Sequence, residues 1–256
     1  MDTLQWPERL HYRDRLRTAR YAALADAEAF GEICFTVEAI GLRLSRKEGT
    51  LGSYFDPVKV LAEQSVVLSE MPGIFPQLFS RFGALYRTAQ AARNDAMHSG
   101  VYARHATTAA IELCIGLEEA LMVEQQHPRT KVEDYMVRSP IIVQPWQPVA
   151  YARQLMLMHS FSFLPVNLDG WKLVPEASMA KFLHRNGERK AVLARSIQEA
   201  ARLDERPLEL VNAQVVTPHD NVEVLLNAAD VGKPTLWLVD DGHGGLAGVL
   251  SPFELM

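Results

Sequence analysis

An internal repeat constrains the fold of this chain more than any other feature of its sequence. When the sequence is shifted by 73 positions against itself, residues 141–166 align with residues 214–239 without a gap. In both copies a β run is followed by a proline, an amphipathic helical segment, a second β run, an acidic-glycine turn and a third β run. The identical pairs are Val143 and Val216, Pro145 and Pro218, Val149 and Val222, and Val166 and Val239. This pattern predicts two β-α-β-β units that bury together what one copy cannot bury alone.

The first half of the chain predicts helices only. Four of the 14 prolines precede Gln126 and ten follow it, and proline is costly inside helices. Apolar residues recur with helical spacing, which predicts an all-α bundle of about four long helices. The helical segments are residues 16–44, 58–70, 78–98 and 102–123.

The predicted fold class is therefore an all-α bundle followed by an α/β module. We place the bundle at residues 1–125 and the module at residues 131–256, with a polar linker between them. Within the module, the first motif covers residues 131–184, a helical insert covers residues 185–206, and the second motif covers residues 207–256.

Composition excludes several classes of protein. A chain with 48% hydrophobic and 8% aromatic residues is not disordered. No apolar run reaches the roughly 20 residues of a membrane span, and residues 1–20 contain no apolar signal region. We therefore expect a cytoplasmic protein without a membrane segment. Cys34 and Cys114 lie in separate apolar segments and are interpreted as reduced core thiols.

The second half resembles a tandem pair of CBS motifs over residues 131–256. The resemblance rests on Val132-x-x-Tyr135-Met136, on residues 163–166 and on residues 246–254. It implies a β-α-β-β-α module that binds an adenine nucleotide (ATP, AMP or a cyclic nucleotide) as a regulatory ligand. In this family, a hydroxyl-x-x-acid pattern after a strand places the hydroxyl near phosphate and the acid near the ribose. Ser251 and Glu254 match that pattern, with Glu in place of the commoner Asp.

The first copy departs from the family pattern. Pro175 stands where the hydroxyl belongs, and Ser178 stands where the acid belongs. At most one conventional nucleotide site is therefore expected, at Ser251 and Glu254. The alternative is that the motifs only dimerise or pack. The closing helix of the second copy is short at Met256, and we expect a partner chain to complete it.

The first half contains the segment Arg93-Asn94-Asp95-Ala96-Met97-His98, late in a predicted helix. This segment resembles the R-x4-6-H motif of HEPN domains, and the resemblance covers about residues 13–123. It implies a metal-independent endoribonuclease that works as a homodimer, with the paired motifs lining one cleft. RNA is then the substrate, and no cofactor is needed for catalysis.

The residue types in this segment suit RNA cleavage. His98 titrates near neutral pH and serves as general base or acid for the 2′-hydroxyl and the leaving group. Arg93 stays protonated and stabilises the charge that develops on the phosphate. Asn94 lies four residues before His98 on the same helix face and orients the imidazole or the phosphate. Arg93 and His98 lie about 140° apart on a regular helix, so one helix alone does not direct both at the same atom. The resemblance implies that a two-fold dimer brings the paired motifs into one cleft.

Other interpretations of these cations remain open. If these residues have only structural roles, Arg93 forms an ion pair with Asp95 or Glu112, and His98 caps the carbonyl groups at the end of the helix. The arginines that fall on one face of the first helix are Arg13, Arg17 and Arg20. They are predicted either to contact an RNA backbone or to form a solvated face paired with nearby acids.

The leading hypothesis is a homodimeric endoribonuclease that a nucleotide bound to the CBS pair controls. The family resemblance implies a toxin or phage-defence effector. The alternative is a non-catalytic nucleotide-sensing regulator whose bundle dimerises or binds a partner. A third hypothesis keeps catalysis but assigns control to a cognate antitoxin or to chemical modification. The histidines have no spacing that would hold zinc.

Overall fold

The computed structural model describes residues 3–99, 104–123, 130–185 and 188–256. Within these ranges, the side chains of residues 28, 96–99, 104, 105, 185 and 189 lie outside the description. The chain divides into two compact units, Met1–His127 and Pro128–Met256. The first unit is helical, and the second combines helices with β-sheet.

The first unit is a helical bundle, as the apolar spacing predicts, but its four long helices are not the four predicted segments. Residues 16–44 form two of the long helices, and the predicted segment 58–70 is divided between two short helices. Its helices are α1 (Trp6–Ala25), α2 (Phe30–Ser45), α3 (Phe55–Ala62), α4 (Val66–Ser69), α5 (Met71–Ile74), α6 (Phe82–Ser99) and α7 (Arg104–Met122). The bundle core contains Leu16 of α1, Ile40 of α2 and Leu117 of α7, which are fully buried. The apolar stripe of each long helix therefore faces a common core.

The predicted helical segment 16–44 is two helices, not one. The backbone of Asp26 is extended and ends α1, and a 3-10 turn at Ala27–Ala29 leads into α2. Because of this break, α2 packs against α1 and does not extend it. The sequence has neither glycine nor proline at residues 26–29, and the apolar spacing continues across the break. The prediction of one helix over residues 16–44 was therefore wrong. Apolar periodicity alone does not reveal that the backbone leaves the helical conformation at Asp26.

The second unit contains two small β-sheets. Its strands are β1 (Val137–Arg138), β2 (Phe163–Asn167), β3 (Trp171–Pro175), β4 (Val211–Asn212), β5 (Gln214–Val216), β6 (Trp237–Asp240) and β7 (Leu246–Leu250). One sheet has the order β1-β7-β6-β5, and the other has the order β2-β3-β4. The helices are α8 (Val149–His159), α9 (Glu176–Arg185), α10 (Arg189–Ala194), α11 (Ile197–Ala201) and α12 (Val222–Ala228).

Strand register confirms the repeat of 73 residues. Val143 forms a parallel bridge with Val166, and Val216 pairs in parallel with Val239. These two pairs are the same pair shifted by 73 positions, and all four residues are buried. The predicted β run at residues 141–143 is reduced to this one bridge.

The segments that lead into the two copies are exchanged. Strand β1 precedes the first copy but pairs with β7 of the second, whereas β4 precedes the second copy but pairs with β3 of the first. The backbone hydrogen bonds to the exchanged segments correspond: the residues within the two copies keep the 73-residue shift, and the exchanged residues are 65 positions apart. In the first copy they are Val149 N to Arg195 O, Ile197 N to Gln147 O and Gln198 N to Pro145 O. In the second they are Val222 N to Thr130 O, Val132 N to Asp220 O and Glu133 N to Pro218 O.

The exchange also joins the two small cores. Val132 and Met136, which precede the first copy, pack in the core of the second. Ile197 and Leu208, which precede the second copy, pack in the core of the first. Helix α11 is thus the counterpart of the 3-10 helix Val132–Asp134, so part of the predicted insert belongs to the repeat. The two copies form one interlocked module in which neither core is complete alone.

Candidate functional site

Ser251 and Glu254 lie at the end of β7, where a short 3-10 helix, Pro252–Leu255, begins. The backbone N and the Oγ of Ser251 donate to Glu254 Oε2 at 2.8 and 2.6 Å. Ser251 Oγ also accepts from Phe253 N at 3.2 Å. The two residues therefore form a capping box that closes on itself. Both side chains are half-buried.

This arrangement brings together the hydroxyl and the carboxylate that the sequence predicts for nucleotide binding. A carboxylate accepts hydrogen bonds from two sugar hydroxyls, and a serine hydroxyl donates to a phosphate oxygen. The Ser251 hydroxyl proton points to Glu254 here, so contact with a phosphate requires the hydroxyl to exchange one acceptor for the other.

The pairing of strands shows which residues of the first copy occupy the positions of Ser251 and Glu254. Leu164 pairs with Val174 in β2–β3, and its counterpart Trp237 pairs with Leu250 in β6–β7. The residue after Val174 is Pro175, so this proline is the counterpart of Ser251. Ser178 is the counterpart of Glu254 and is buried within α9. The first copy thus lacks the hydroxyl at the position of Ser251 and the carboxylate at the position of Glu254.

A close approach of β1 and β7 fixes the backbone just before Ser251. A Cβ atom added to Gly248 would lie 2.7 Å from the carbonyl oxygen of Val137 and 3.0 Å from the sulfur of Met136. Gly248 pairs with Arg138 of β1. The exchanged strand therefore depends on the absence of a side chain at this position.

In the first unit, Arg93 of α6 is held by a carboxylate of α2. Arg93 Nη2 donates to Glu38 Oε2 at 2.9 Å, and Glu38 Oε1 accepts from Leu51 N at 3.1 Å. Neither Asp95 nor Glu112 is the partner that the structure gives to the guanidinium. Within the described residues, Arg93 Nε is a buried donor without a hydrogen-bond partner.

An exposed aromatic ring lies beside this guanidinium. The central carbon of the Arg93 guanidinium lies 5.6 Å from the centroid of Phe35, within the range of a cation–π contact. Phe35 precedes Glu38 by three residues on α2, so one helix face supplies both the ring and the carboxylate. Sequence reasoning missed both residues, because nothing local to Arg93 identifies partners on α2.

The other residues of the predicted catalytic motif are described in part. Asn94 is exposed on α6. His98 lies within the last turn of α6, and its side chain lies outside the described part of the structure. The distance from His98 to Arg93, and the role predicted for each, therefore stay predictions.

The arginines of α1 occupy the buried face of that helix. Arg13 and Arg17 are 2% and 7% exposed, and Arg20 forms a two-pronged ion pair with Glu118 of α7 at 2.7 and 3.0 Å. Arg9 donates to three carbonyl oxygens at the end of α7. These contacts join α1 to α7, so the RNA contact predicted for Arg13, Arg17 and Arg20 does not follow from their positions.

Burial and neighbouring charges shift the pKa values of several side chains in the first unit. Burial, followed by the neighbouring Arg17 charge, lowers the pKa of Arg13. Burial also opposes the charge of Arg20, but the hydrogen bond and the charge of Glu118 raise its pKa overall. Burial raises the pKa of the Cys34 thiol to about 12, in line with the predicted inert core thiols.

Among the described residues, no group of three or more His, Cys, Asp or Glu side chains is placed to hold a metal ion. No helix in the same part of the chain is long and apolar enough to cross a membrane.

The chain is similar to several solved structures over about half its length. An acetoin utilization protein of Vibrio cholerae matches with 16% identity and a TM-score of 0.39, over 49% of this chain and 86% of that one. A CBS-domain protein of Agrobacterium tumefaciens matches with 20% identity and a TM-score of 0.39, over 52% and 96%. CBSX2 in complex with AMP matches with the same identity and TM-score, over 50% and 93%.

No protein-family model matches the sequence, and no curated protein matches it. At these TM-scores and identities, the description of the second unit rests on its own repeat and strand register.

Proposed function

We propose that this protein is a nucleotide-responsive regulator whose second unit is a tandem CBS pair. The observation that carries the proposal is the Ser251–Glu254 pair, half-buried at the end of β7 in a module with exchanged leading segments. The ligand is an adenine nucleotide: ATP, AMP or a cyclic nucleotide. Glu254 binds the ribose hydroxyls, and Ser251 binds a phosphate oxygen.

The capping box gives this site a defined ligand-free state. Binding exchanges the Ser251 Oγ to Glu254 hydrogen bond for bonds to the ligand, so the two states differ at the end of β7. A ligand shifts a conformational equilibrium only by its difference in affinity for the two states. Conversion from mostly one state to mostly the other requires about 5.5 kcal/mol of such difference.

A melting-temperature screen with AMP, ADP, ATP and cyclic AMP tests this proposal. A ligand at 100 times its Kd adds about 2.7 kcal/mol to the free energy of unfolding, so the melting temperature should rise by several degrees. Glu254→Ala should abolish the rise. The matched control is Glu199→Ala, because Ser196 and Glu199 form the same capping box on α11. No rise with any nucleotide would contradict the proposal.

A second function is favoured by Arg93: metal-independent cleavage of RNA by the helical unit. The guanidinium is held between Glu38 and Phe35, which prepares it to contact a phosphate. In this proposal His98 transfers the protons, Asn94 orients a reacting group, and two chains contribute their motifs to one cleft. The protein then acts in the cytoplasm as a toxin or phage-defence effector, with a cognate antitoxin as a further partner.

Cleavage of labelled RNA in the presence of EDTA tests this second function. Arg93→Ala and His98→Ala should each reduce the rate by about a hundredfold or more. Arg87→Ala is the matched control, because Arg87 is an exposed cation on the same helix beside Phe55. If the protein cleaves no RNA, with or without nucleotide, the nuclease function is wrong and the nucleotide-responsive regulator is the remaining proposal.

A further inference from the structure

Phe35 is an aromatic residue in an unusual position for its helix. It is 50% exposed on α2, whereas Phe30 of the same helix is 2% exposed and belongs to the bundle core. Burial of a phenylalanine side chain stabilises a fold, and this ring forgoes a large part of that stabilisation. An exposed ring at a fixed position is available to a ligand.

The position of the ring is fixed by its neighbours. Arg93 lies over the ring at 5.6 Å, and Glu38 holds the guanidinium of Arg93 through Nη2. Glu38 is in turn bound to Leu51 N. The aromatic surface and the cation are therefore presented together. Asn94, the residue after Arg93 on α6, is exposed.

We infer that Phe35 stacks an unpaired base of single-stranded RNA whose adjacent phosphate contacts Arg93. Single-stranded nucleic acids are bound by aromatic side chains that stack on bases and by cations that follow the backbone. In this arrangement the ring of Phe35 contacts the base, and the guanidinium of Arg93 contacts the phosphate next to that base. This inference rests on the RNA function proposed for the helical unit and adds a residue that positions the substrate.

The surroundings of the ring favour RNA over a protein partner. Leu42 is the next exposed large apolar residue of α2. It lies seven residues further on, about 10 Å along the helix axis. Protein interfaces are built around contiguous apolar centres, and here a ring is paired with a cation instead. A phosphate would share the guanidinium of Arg93 with Glu38, which holds Nη2.

Binding of a fluorescent, fully 2′-O-methylated oligonucleotide tests the inference. This probe lacks the attacking hydroxyl, so fluorescence anisotropy measures binding whether or not the protein cleaves RNA. Phe35→Leu keeps an apolar side chain but cannot stack, and it should weaken binding about 5- to 150-fold. Phe35→Trp should retain the affinity of the original protein. Leu42→Ala, an exposed apolar residue of the same helix, is the matched control and should bind normally.

Several results of this experiment would overturn the inference. Equal affinity of Phe35→Leu and the original protein would overturn the stacking role, as would the absence of any binding by the original protein. Loss of a dimer in Phe35→Leu with unchanged RNA affinity would assign the ring to a protein contact and overturn the inference as well. The cleavage assay with natural RNA decides the proposed nuclease function separately, since it compares Arg93→Ala and His98→Ala and leaves Phe35 in place.

Discussion

Arg93 and Glu38 are 55 residues apart in sequence, yet Arg93 Nη2 lies 2.9 Å from Glu38 Oε2. Each side chain is about one-fifth exposed, so the pair is largely shielded from water. Glu38 also accepts from Leu51 N, and it therefore ties α6 to the segment that follows α2. This carboxylate determines where the guanidinium lies.

Glu38→Ala should lower the free energy of unfolding by about 1.5–3 kcal/mol, because it removes hydrogen bonds that involve charged groups. Urea unfolding measures the change. The Lys59–Glu63 pair is exposed at both ends, so Glu63→Ala should cost about 0.5 kcal/mol or less. Equal effects of the two substitutions would show that Glu38 has no special role in the bundle.

Glu118→Ala should destabilise the first unit by about 3 kcal/mol, because it leaves the guanidinium of Arg20 buried without its counter-charge. The double variant Arg20→Met/Glu118→Leu should recover much of the loss, since it removes both charges. Thermal or urea unfolding of the three proteins measures this. A single variant as stable as the original would contradict the contact between α1 and α7 described above.

Cys34 and Cys114 should react slowly with a thiol reagent at pH 8.5 in the folded protein and rapidly in denaturant. Both are buried, and burial raises the pKa of Cys34 from 9.0 to about 12. Since the folded pKa is the higher one, the stability contribution of Cys34 is complete below pH 9 and is lost as the pH rises toward 12. Cys34→Ala should remove that part of the pH dependence. Fast labelling of either thiol under native conditions would be inconsistent with the buried positions.

Gly248→Ala should destabilise the second unit by about 1–3 kcal/mol, because the added Cβ would collide with the carbonyl oxygen of Val137. Strand β1 must then shift away from β7. Gly232→Ala is the control, because its added Cβ meets only the exposed Asp230 side chain. The melting temperatures of the two variants provide the comparison, and equal values would argue against the close approach of the exchanged strand.

The repeat could be predicted from sequence because it is carried by buried residues with a constant spacing. Val143, Val166, Val216 and Val239 face the cores and pair as the 73-residue shift requires. Strands β1 and β4 could not be predicted in this way. Each has two residues and no periodicity of its own, and each is defined by a partner in the other copy.

The candidate sites show the same contrast between local and distant determinants. Ser251 and Glu254 are three residues apart, so a short pattern was sufficient to bring them together. The contacts of Arg93 depend on how α2 packs against α6, and no short pattern contains Glu38 or Phe35. The α1 arginines were correctly placed on one face, but their partners on α7 make that face an interior one.

Calorimetric titration of the full chain with AMP and ATP measures nucleotide binding at Ser251 and Glu254. We expect saturable binding of one nucleotide per chain, with loss of the heat in Glu254→Ala and retention in Glu199→Ala. Binding of two nucleotides per chain, binding that survives Glu254→Ala, or no heat with either nucleotide would contradict this expectation.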